Sequence, residues 1–149
     1  MEFKELKNVD LPFLNRIVEL EEEAFEGKGN VDLWILKALI RYGKVFILEE
    51  AEEIISIAEY MQVLDEKEVF LYGISTKKRY RNHGHAKEIM KKSEEYFKNL
   101  GYKKISLTVD PNNEIAIKLY KNLGYVIEEF QKDEYGKGID RYLMKKVII

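Results

Sequence analysis

The part of this chain most suited to chemistry is a basic run that leads to a glycine. Four cations lie within Lys77 to Arg81, and Gly84 follows them. A strand-like segment, Val69 to Ile74, precedes the run, and a helix-like segment, Ala86 to Leu100, follows it. The first N–H groups of a helix lack intrahelical partners, the helix dipole adds about half a positive charge there, and glycine lets an anion approach the main chain. The run therefore predicts a pyrophosphate site at the start of a helix.

The same run also fits less specific explanations. A basic loop is in most proteins a solvated turn. His83 and His85 have no Cys, Asp or Glu cluster near them, and their i, i+2 spacing predicts different sides of a turn, so we predict no metal. We expect no nucleic-acid partner, because the net charge is -2 and no longer basic face is present.

The composition indicates one globular domain, spanning residues 1–149. Hydrophobic residues make up 46% and charged residues 35%, which excludes a disordered chain. The apolar runs are far shorter than the ~20 residues of a membrane span, so we expect no membrane insertion. No signal peptide is recognisable at Met1 to Glu5. The sequence has no cysteine, hence no disulfide or thiol chemistry, which suits a cytoplasmic protein.

The first part of the chain predicts one strand and two helices. Glu2 to Leu6 alternates like a half-buried strand, and Asp10 is placed to cap the helix that follows. Gly27 to Asn30 predicts a loop at the end of that helix. A second apolar helix stops near Gly43, for which we predict the left-handed conformation of a helix C-cap.

The rest of the chain predicts an antiparallel meander followed by alternating helices and strands. Acidic turns join the meander's segments, which are rich in Val, Ile, Phe and Tyr. The predicted order of the whole chain is strand, two helices, three strands, helix, strand, helix, two strands. From the meander onward, the segments are the strands Lys44 to Leu48, Ile54 to Leu64 and Val69 to Ser75, the helix Ala86 to Leu100, the strand Ile105 to Val109, the helix Ile115 to Leu123, and the strands Val126 to Phe130 and Arg141 to Ile148.

This order and two motifs resemble the GNAT superfamily of N-acetyltransferases over essentially the whole chain. The family's coenzyme motif is Arg or Gln, two residues, Gly, one residue, and Gly or Ala, which matches Arg81-x-x-Gly84-x-Ala86. The second motif, Asn-x-x-Ala-x-x-Leu-Tyr followed by Gly and an aromatic residue, matches Asn113, Ala116, Leu119, Tyr120, Gly124 and Tyr125. The stretch from Leu71 to Tyr125 is similar to ribosomal-protein N-terminal acetyltransferases.

The resemblance implies the fold class. We expect an α/β (α+β), GNAT-like mixed and mostly antiparallel central sheet of about seven strands, flanked by four helices. We also expect the sheet to be splayed between its fourth and fifth strands.

The resemblance also implies the site residues. The backbone N–H groups of Arg81, Asn82, His83, Gly84, His85 and Ala86 would hold the pyrophosphate of coenzyme A. Ile74, Ser75 and Thr76 would pair through their main chain with the pantetheine arm, as an added strand pairs with an open sheet edge. Asn113 would orient the arm or a water. Tyr120, protonated at neutral pH, would donate a proton to the departing thiolate.

The base that deprotonates the amine is left open by the sequence. The ribosomal-protein acetyltransferases carry a glutamate where this chain has Thr108, and threonine cannot act as that base. Spacing does not choose among the possible substitutes, which are Glu59, Tyr72, Glu23 and Glu26. The acidic cluster of Glu19, Glu21, Glu22, Glu23 and Glu26 is typical of a solvent-exposed helix face, with attraction of a cationic amine as the alternative.

The resemblance implies an acetyl-CoA-dependent N-acetyltransferase. The acetyl group would pass directly to a primary amine, which is a small amine, a lysine or a protein N-terminus, in a ternary complex, since no cysteine can form an acyl-enzyme. The alternative, motivated by Thr108, is a degenerate GNAT fold that acts as an acyl-CoA sensor or interaction module. Apolar residues in the tail, Val147 to Ile149, would suit a homodimer contact.

Overall fold

The computed structural model of the chain describes residues 1–26 and 31–149, so the loop predicted at Gly27 to Asn30 lies outside the described residues. The helices and strands follow the predicted order, and only a 3-10 turn at Lys78–Tyr80, within the basic run, was not predicted. In chain order the elements are β1 (Glu2–Glu5), α1 (Leu11–Phe25), α2 (Leu33–Tyr42), β2 (Lys44–Glu50), β3 (Glu53–Val63), β4 (Glu68–Thr76), α3 (His85–Asn99), β5 (Lys104–Val109), α4 (Glu114–Asn122), β6 (Val126–Gln131) and β7 (Arg141–Val147).

The seven strands form one mixed sheet in the order β1-β2-β3-β4-β5-β7-β6. Short connections join β2 to β3 and β3 to β4, so these neighbours are antiparallel. Only β4 and β5 are parallel among the paired strands, because α3 crosses over between them. The predicted fold class is confirmed.

The parallel pair separates partway along its length. Glu68 to Leu71 of β4 pair with Lys104 to Leu107 of β5, and beyond Leu71 only the β3 side of β4 remains paired. At this point Leu71 pairs with Tyr60 and Gly73 pairs with Glu59, so Tyr72 is an extra residue in β4. Such a β-bulge bends its strand. The edge of β4 that faces β5 is therefore open from Tyr72 to Thr76, which confirms the expected splay.

Both faces of the sheet are buried in its central part. Along β2, Phe46 and Leu48 pack against the core under α3 and α4, whereas Val45 and Ile47 pack against the core under α1 and α2. This alternation explains why β2 and β3 are almost continuously apolar in sequence. We call these two sides the α3/α4 face and the α1/α2 face.

The tail is less exposed than its composition predicted. Val147 and Ile149 are exposed, but Ile148 is buried in the core of the α3/α4 face. The backbone N–H of Ile148 donates to the carbonyl of Lys103, which holds the tail along β5. The homodimer contact remains a prediction, and Ile148 is too deeply buried to take part in it.

The helix ends confirm one predicted cap and correct another. The Asp10 side chain accepts a hydrogen bond from the N–H of Phe13 at 3.0 Å, as an N-cap should. Gly43 ends α2, but its φ of -108° is not left-handed, so that prediction is wrong. A Cβ at residue 43 would lie 2.2 Å from the Tyr60 carbonyl oxygen. Glycine is required there because the end of α2 lies against the main chain of β3 at Tyr60, not because of its own backbone angle.

Among the described residues, no helix combines the length and the apolar content that crossing a bilayer requires.

Candidate active site

The open edge of β4 is held in place from the β3 side. The Ser56 hydroxyl donates to the carbonyl of Ser75 at 2.8 Å and lies 3.0 Å from the Thr76 hydroxyl. Ile74 packs against the core of the α3/α4 face, whereas the Ser75 side chain is buried against α1. The main chain of the predicted residues Ile74, Ser75 and Thr76 therefore borders the gap between β4 and β5.

The N-terminus of α3 provides uncapped main-chain donors. Gly84 is its N-cap residue, with φ +80°, and no side chain forms a capping hydrogen bond there. Asn82 is also left-handed, at φ +65°, so the chain curls tightly before the helix. The first intrahelical bond runs from the N–H of Glu88 to the Gly84 carbonyl. The N–H groups of the first turn, including those of the predicted His85 and Ala86, thus lack intrahelical acceptors, and donors of this kind are suited to binding an anion.

The cations that precede α3 are largely engaged elsewhere. The Glu53 carboxylate binds Lys77 Nζ at 2.9 Å, accepts a hydrogen bond from the Tyr80 hydroxyl at 2.9 Å and pairs with Arg79. Arg81 Nε donates to the Thr76 carbonyl at 3.3 Å. These contacts fix the loop between β4 and α3. The predicted anion site would therefore depend mainly on the backbone of α3.

The two histidines lie beside each other rather than on different sides of a turn. The rings of His83 and His85 are stacked with centroids 6.1 Å apart, so the predicted separation is wrong. The His83 ring reaches back because its Nδ1 lies 2.7 Å from the Arg81 carbonyl oxygen. Within residues 1–26 and 31–149, no group of three or more His, Cys, Asp or Glu side chains is arranged to hold a metal ion.

The second motif forms α4 and the turn after it. Asn113 is the N-cap of α4, and its Oδ1 accepts from the N–H of Ala116 at 3.1 Å. This uses the oxygen of the amide and leaves its NH₂ group for another partner. Tyr120 is 7% exposed and packs in the core of the α3/α4 face, with its ring centroid 6.1 Å from that of Tyr125. Burial raises the pKa of Tyr120 to about 12, so its phenol is protonated at neutral pH.

A buried pair of carboxyl groups lies at the same gap on the α1/α2 face. Glu21 of α1 and Glu59 of β3 are both 0% exposed. Glu59 Oε1 leans over Gly73, where a Cβ would lie only 2.7 Å from it, and the Ser75 hydroxyl donates to Glu21 Oε1 at 3.2 Å. Burial, followed by the negative charge of Glu21, raises the pKa of Glu59 well above its usual value. Burial also raises the pKa of Glu21.

The placement of Glu21 corrects the sequence interpretation. The acidic cluster was predicted to be a solvent-exposed helix face, and Glu19, Glu22, Glu23 and Glu26 are indeed exposed, whereas Glu21 is not. Helical spacing carried a signal for this, since residue 21 follows Leu14 and Ile17 on the buried stripe of α1. Glu59 has the corresponding signal in β3, because it lies on one face with Ile57 and Met61.

Polar groups from three other segments border the gap on the α1/α2 face. Thr108 of β5 is half-buried, and its hydroxyl lies 3.5 Å from the hydroxyl of Tyr135, which lies between β6 and β7. Tyr72 is 42% exposed, and its pKa is raised by burial first, then by the charges of Glu59, Tyr135, Asp32 and Glu21. Thr108 carries no carboxylate, and Glu59 and Glu21 are buried carboxyl groups on the same face of the sheet.

Solved structures share this architecture at low sequence identity. The ribosomal-protein-S18-alanine N-acetyltransferase of Escherichia coli superimposes with a TM-score of 0.81 at 19% identity, covering 99% of this chain and 94% of that chain. An aminoglycoside 6'-N-acetyltransferase complexed with coenzyme A superimposes with a TM-score of 0.85 at 13% identity, covering 100% of this chain and 98% of that chain. An acetyltransferase of Bacillus subtilis in complex with CoA superimposes with a TM-score of 0.79 at 14% identity, covering 99% of this chain and 98% of that chain. At these identities the likeness is evidence for the fold alone.

The sequence itself carries the family signal. No curated protein sequence matches the chain. The model of the acetyltransferase (GNAT) family matches residues 13–125, which include both motifs, the open edge of β4 and the start of α3. This protein therefore belongs to the GNAT family of acetyltransferases and is an N-acetyltransferase.

Proposed function

We propose that this protein transfers the acetyl group of acetyl-CoA directly to a primary amine within a ternary complex. The observation that carries the proposal is the continuity of two unpaired sets of backbone donors. The open edge of β4, Tyr72–Thr76, leads through a loop fixed by Glu53 to the uncapped N-terminus of α3. An extended molecule with amides at one end and a diphosphate at the other matches this arrangement.

The residues present fit acetyl-CoA. The main chain of Ile74, Ser75 and Thr76 would pair with the two amides of the pantetheine arm, as in strand addition. The N–H groups from Arg81 to Ala86 would hold the pyrophosphate at the positive end of the α3 dipole. Fold neighbours that are complexed with coenzyme A support this proposal.

When bound, acetyl-CoA supplies an activated acyl group. An N–H of β4 near Ile74 would stabilise negative charge on the carbonyl oxygen. The Tyr120 phenol, with a pKa near 12, would remain protonated over the working range of pH and give its proton to the leaving sulfur. Asn113 caps α4 and so positions the helix that carries Tyr120.

The acceptor class is a primary amine. Two fold neighbours are named for different amines, the alanine of ribosomal protein S18 and an aminoglycoside, so the fold accommodates several acceptors. A panel should therefore include a peptide with a free N-terminal alanine, an N-blocked peptide with one lysine, a polyamine and an aminoglycoside.

Two measurements test the proposal. Acetyl-CoA should raise the melting temperature, since a ligand that binds only the folded state stabilises it. Release of free coenzyme A thiol should accelerate when a suitable amine is added, and the product should carry one acetyl group by mass spectrometry. Stabilisation without transfer to any amine would instead favour the acyl-CoA sensor, which the threonine at residue 108 motivates.

A further inference from the structure

We propose that Glu59, supported by Glu21, is the base that receives the proton of the acceptor's ammonium group, from the face of the sheet opposite Tyr120. The inference rests on the proposed acetyl transfer and supplies its missing base. It also narrows the acceptor to amines that are cationic when they bind.

The first argument is position. Glu59 and Gly73 are paired neighbours, and Glu59 Oε1 reaches over residue 73, where even a methyl group would collide with it. On its other side, β4 has no strand partner at Gly73, because the pairing with β5 ends at Leu71. The carboxyl group therefore leans toward the edge of β4 that borders the gap.

The second argument is the lack of partners. Among the described residues, Glu59 shares a hydrogen bond with Glu21 and has no other hydrogen-bond partner, and neither side chain forms an ion pair. Burying a carboxyl group without a cationic partner is costly, so such a group beside an open strand edge is a candidate for function. An ammonium group has three donors and no acceptor, which complements these oxygens.

The third argument is the arrangement of acid and base. Tyr120 packs on the α3/α4 face, whereas Glu59 and Glu21 lie on the α1/α2 face. Thr108 projects to the α1/α2 face as well, because Leu107 and Val109 on either side of it pack on the other. A donor entering over α3 and an amine entering over α1 would thus meet in the gap.

The protons balance in this arrangement. An N–H bond of the ammonium breaks, and the proton forms an O–H bond on Glu59. The freed lone pair of nitrogen forms the C–N bond, the C–S bond breaks, and sulfur takes the proton of Tyr120. The tyrosinate recovers a proton from the nitrogen as the amide forms. One proton remains on Glu59 and returns to solvent, which gives amide, thiol and one proton from ammonium and thioester.

Several groups determine how this base responds to pH. Glu21 from α1 faces Glu59 directly, and its charge favours the protonated form of Glu59. Ser75 of β4 holds Glu21. Tyr72 of β4 is coupled to both carboxyls and to Asp32 and Tyr135. Within the part of the chain that the structure describes, no Lys, Arg or His is paired with either carboxyl, so removal of Glu21 leaves burial as the main influence on Glu59.

The experiment compares Glu59→Gln, Glu21→Gln and the exposed control Glu22→Gln, using the best amine of the panel. Glu59→Gln should lower kcat/KM at pH 7 by about 100-fold or more, the usual contribution of a general base. The deficit should shrink as the pH approaches the pKa of the amine, about 10.4 for a lysine-like amine, because the amine then arrives neutral. Glu21→Gln should move the acidic limb of the profile to lower pH, and Glu22→Gln should change nothing. Stabilisation by acetyl-CoA should persist in all three variants.

The inference is overturned if Glu59→Gln keeps the wild-type profile, or if its deficit is the same at every pH. If Glu59→Gln does not fold, the pH profile of Glu21→Gln provides the test. An acidic limb at the same pH as in the wild type would then reject the assignment of Glu59 as the base. Failure of the proposed function looks different, since the wild type would then bind acetyl-CoA without acetylating any amine.

Discussion

At the scale of single residues, two kinds of buried acid flank the gap between β4 and β5. Tyr120 is protonated because burial raises its pKa, and Glu59 is shifted toward its neutral form by burial and by Glu21. The first group is suited to giving a proton, and the second, in its ionised form, to receiving one. Their separation onto opposite faces of the sheet keeps the two roles apart.

Replacing Tyr120 by Phe should reduce kcat by about 10²- to 10⁴-fold, because the leaving sulfur loses its proton donor. The stabilisation by acetyl-CoA should remain, since the ring and its packing are kept. Tyr125→Phe is the matched control, as a buried neighbour 6.1 Å away for which no proton transfer is proposed, and it should keep its turnover. Normal turnover in Tyr120→Phe would reject the acid role.

Replacing Glu59 by Gln should raise the free energy of unfolding at pH 7. Its pKa is raised in the folded state, so the native protein binds more protons than the unfolded chain above the unfolded value of about 4.3. The wild type therefore loses stability as the pH rises from that value through the folded pKa. Glutamine avoids this loss. The free energy of unfolding of the variant should therefore exceed that of the wild type by about 1–3 kcal/mol, which is the cost of an unsatisfied buried group.

Urea unfolding at pH 7 and at pH 4 measures this effect. The two proteins should differ at the higher pH and approach each other at the lower one, where Glu59 is mostly protonated in both the folded and the unfolded wild type. A variant less stable than the wild type at pH 7 would contradict the prediction.

At the scale of elements, Glu53 links the start of β3 to the loop before α3. One carboxylate engages Lys77, Arg79 and the Tyr80 hydroxyl, so the 3-10 turn at Lys78–Tyr80 is tied to the sheet. The position of the α3 N-terminus relative to the open edge of β4 depends on this tie.

Replacing Glu53 by Gln should raise the KM for acetyl-CoA several-fold with little change in kcat, because the pyrophosphate site loses preorganisation while the reacting groups stay in place. The loss of stability should be under about 1 kcal/mol, since these ion pairs are partly exposed. Glu50→Gln removes the same charge from the neighbouring exposed strand end and should leave the KM unchanged. An unchanged KM in Glu53→Gln would show that the contacts of Glu53 do not position the N-terminus of α3 for acetyl-CoA.

The sequence predicted the elements well because local signals determine them. The capping Asp10, the apolar stripes and the turn residues all act over a few positions, and the predicted helices and strands were confirmed. The extra residue Tyr72 in β4 was not predictable, because a bulge is defined by the register against β3. Gly43 was misread for the same reason, since the backbone that excludes a side chain there belongs to Tyr60.

The site was predicted less completely than the fold. Its main-chain part follows from the motif around Gly84, which lies in one continuous stretch of chain. The carboxyl pair brings together residues 38 positions apart, and the sequence offered Glu59 only as one of several bases. Glu21 was misassigned because its acidic neighbours suggested an exposed face, although its spacing from Ile17 did not.

At the scale of the whole molecule, a short parallel seam joins the two halves of the sheet. It consists of four residue pairs between β4 and β5, and a buried polar contact reinforces it. The Ser106 hydroxyl donates to Glu68 Oε2 at 2.8 Å across the seam, and Lys145 Nζ of β7 lies 3.6 Å from Glu68 Oε1. The seam closes one end of the gap whose other end is open.

Replacing Ser106 by Ala should lower the free energy of unfolding by about 1–3 kcal/mol, because a buried carboxylate oxygen of Glu68 loses its partner. Ser93→Ala is the matched control, since that buried hydroxyl donates to the Ile89 carbonyl of its own helix rather than to a carboxylate, and its loss should cost less than about 1 kcal/mol. Urea unfolding at pH 7 compares them. Equal costs would show that the seam contact has no special weight.

The divergence of β4 from β5 makes a passage from one side of the sheet to the other. If coenzyme enters over α3 and the amine over α1, neither molecule obstructs the other's route, so each can arrive or depart while its partner remains. Inhibitors aimed at the two entrances would then occupy the protein simultaneously instead of competing. A single compound that joined the two through the passage would combine both affinities.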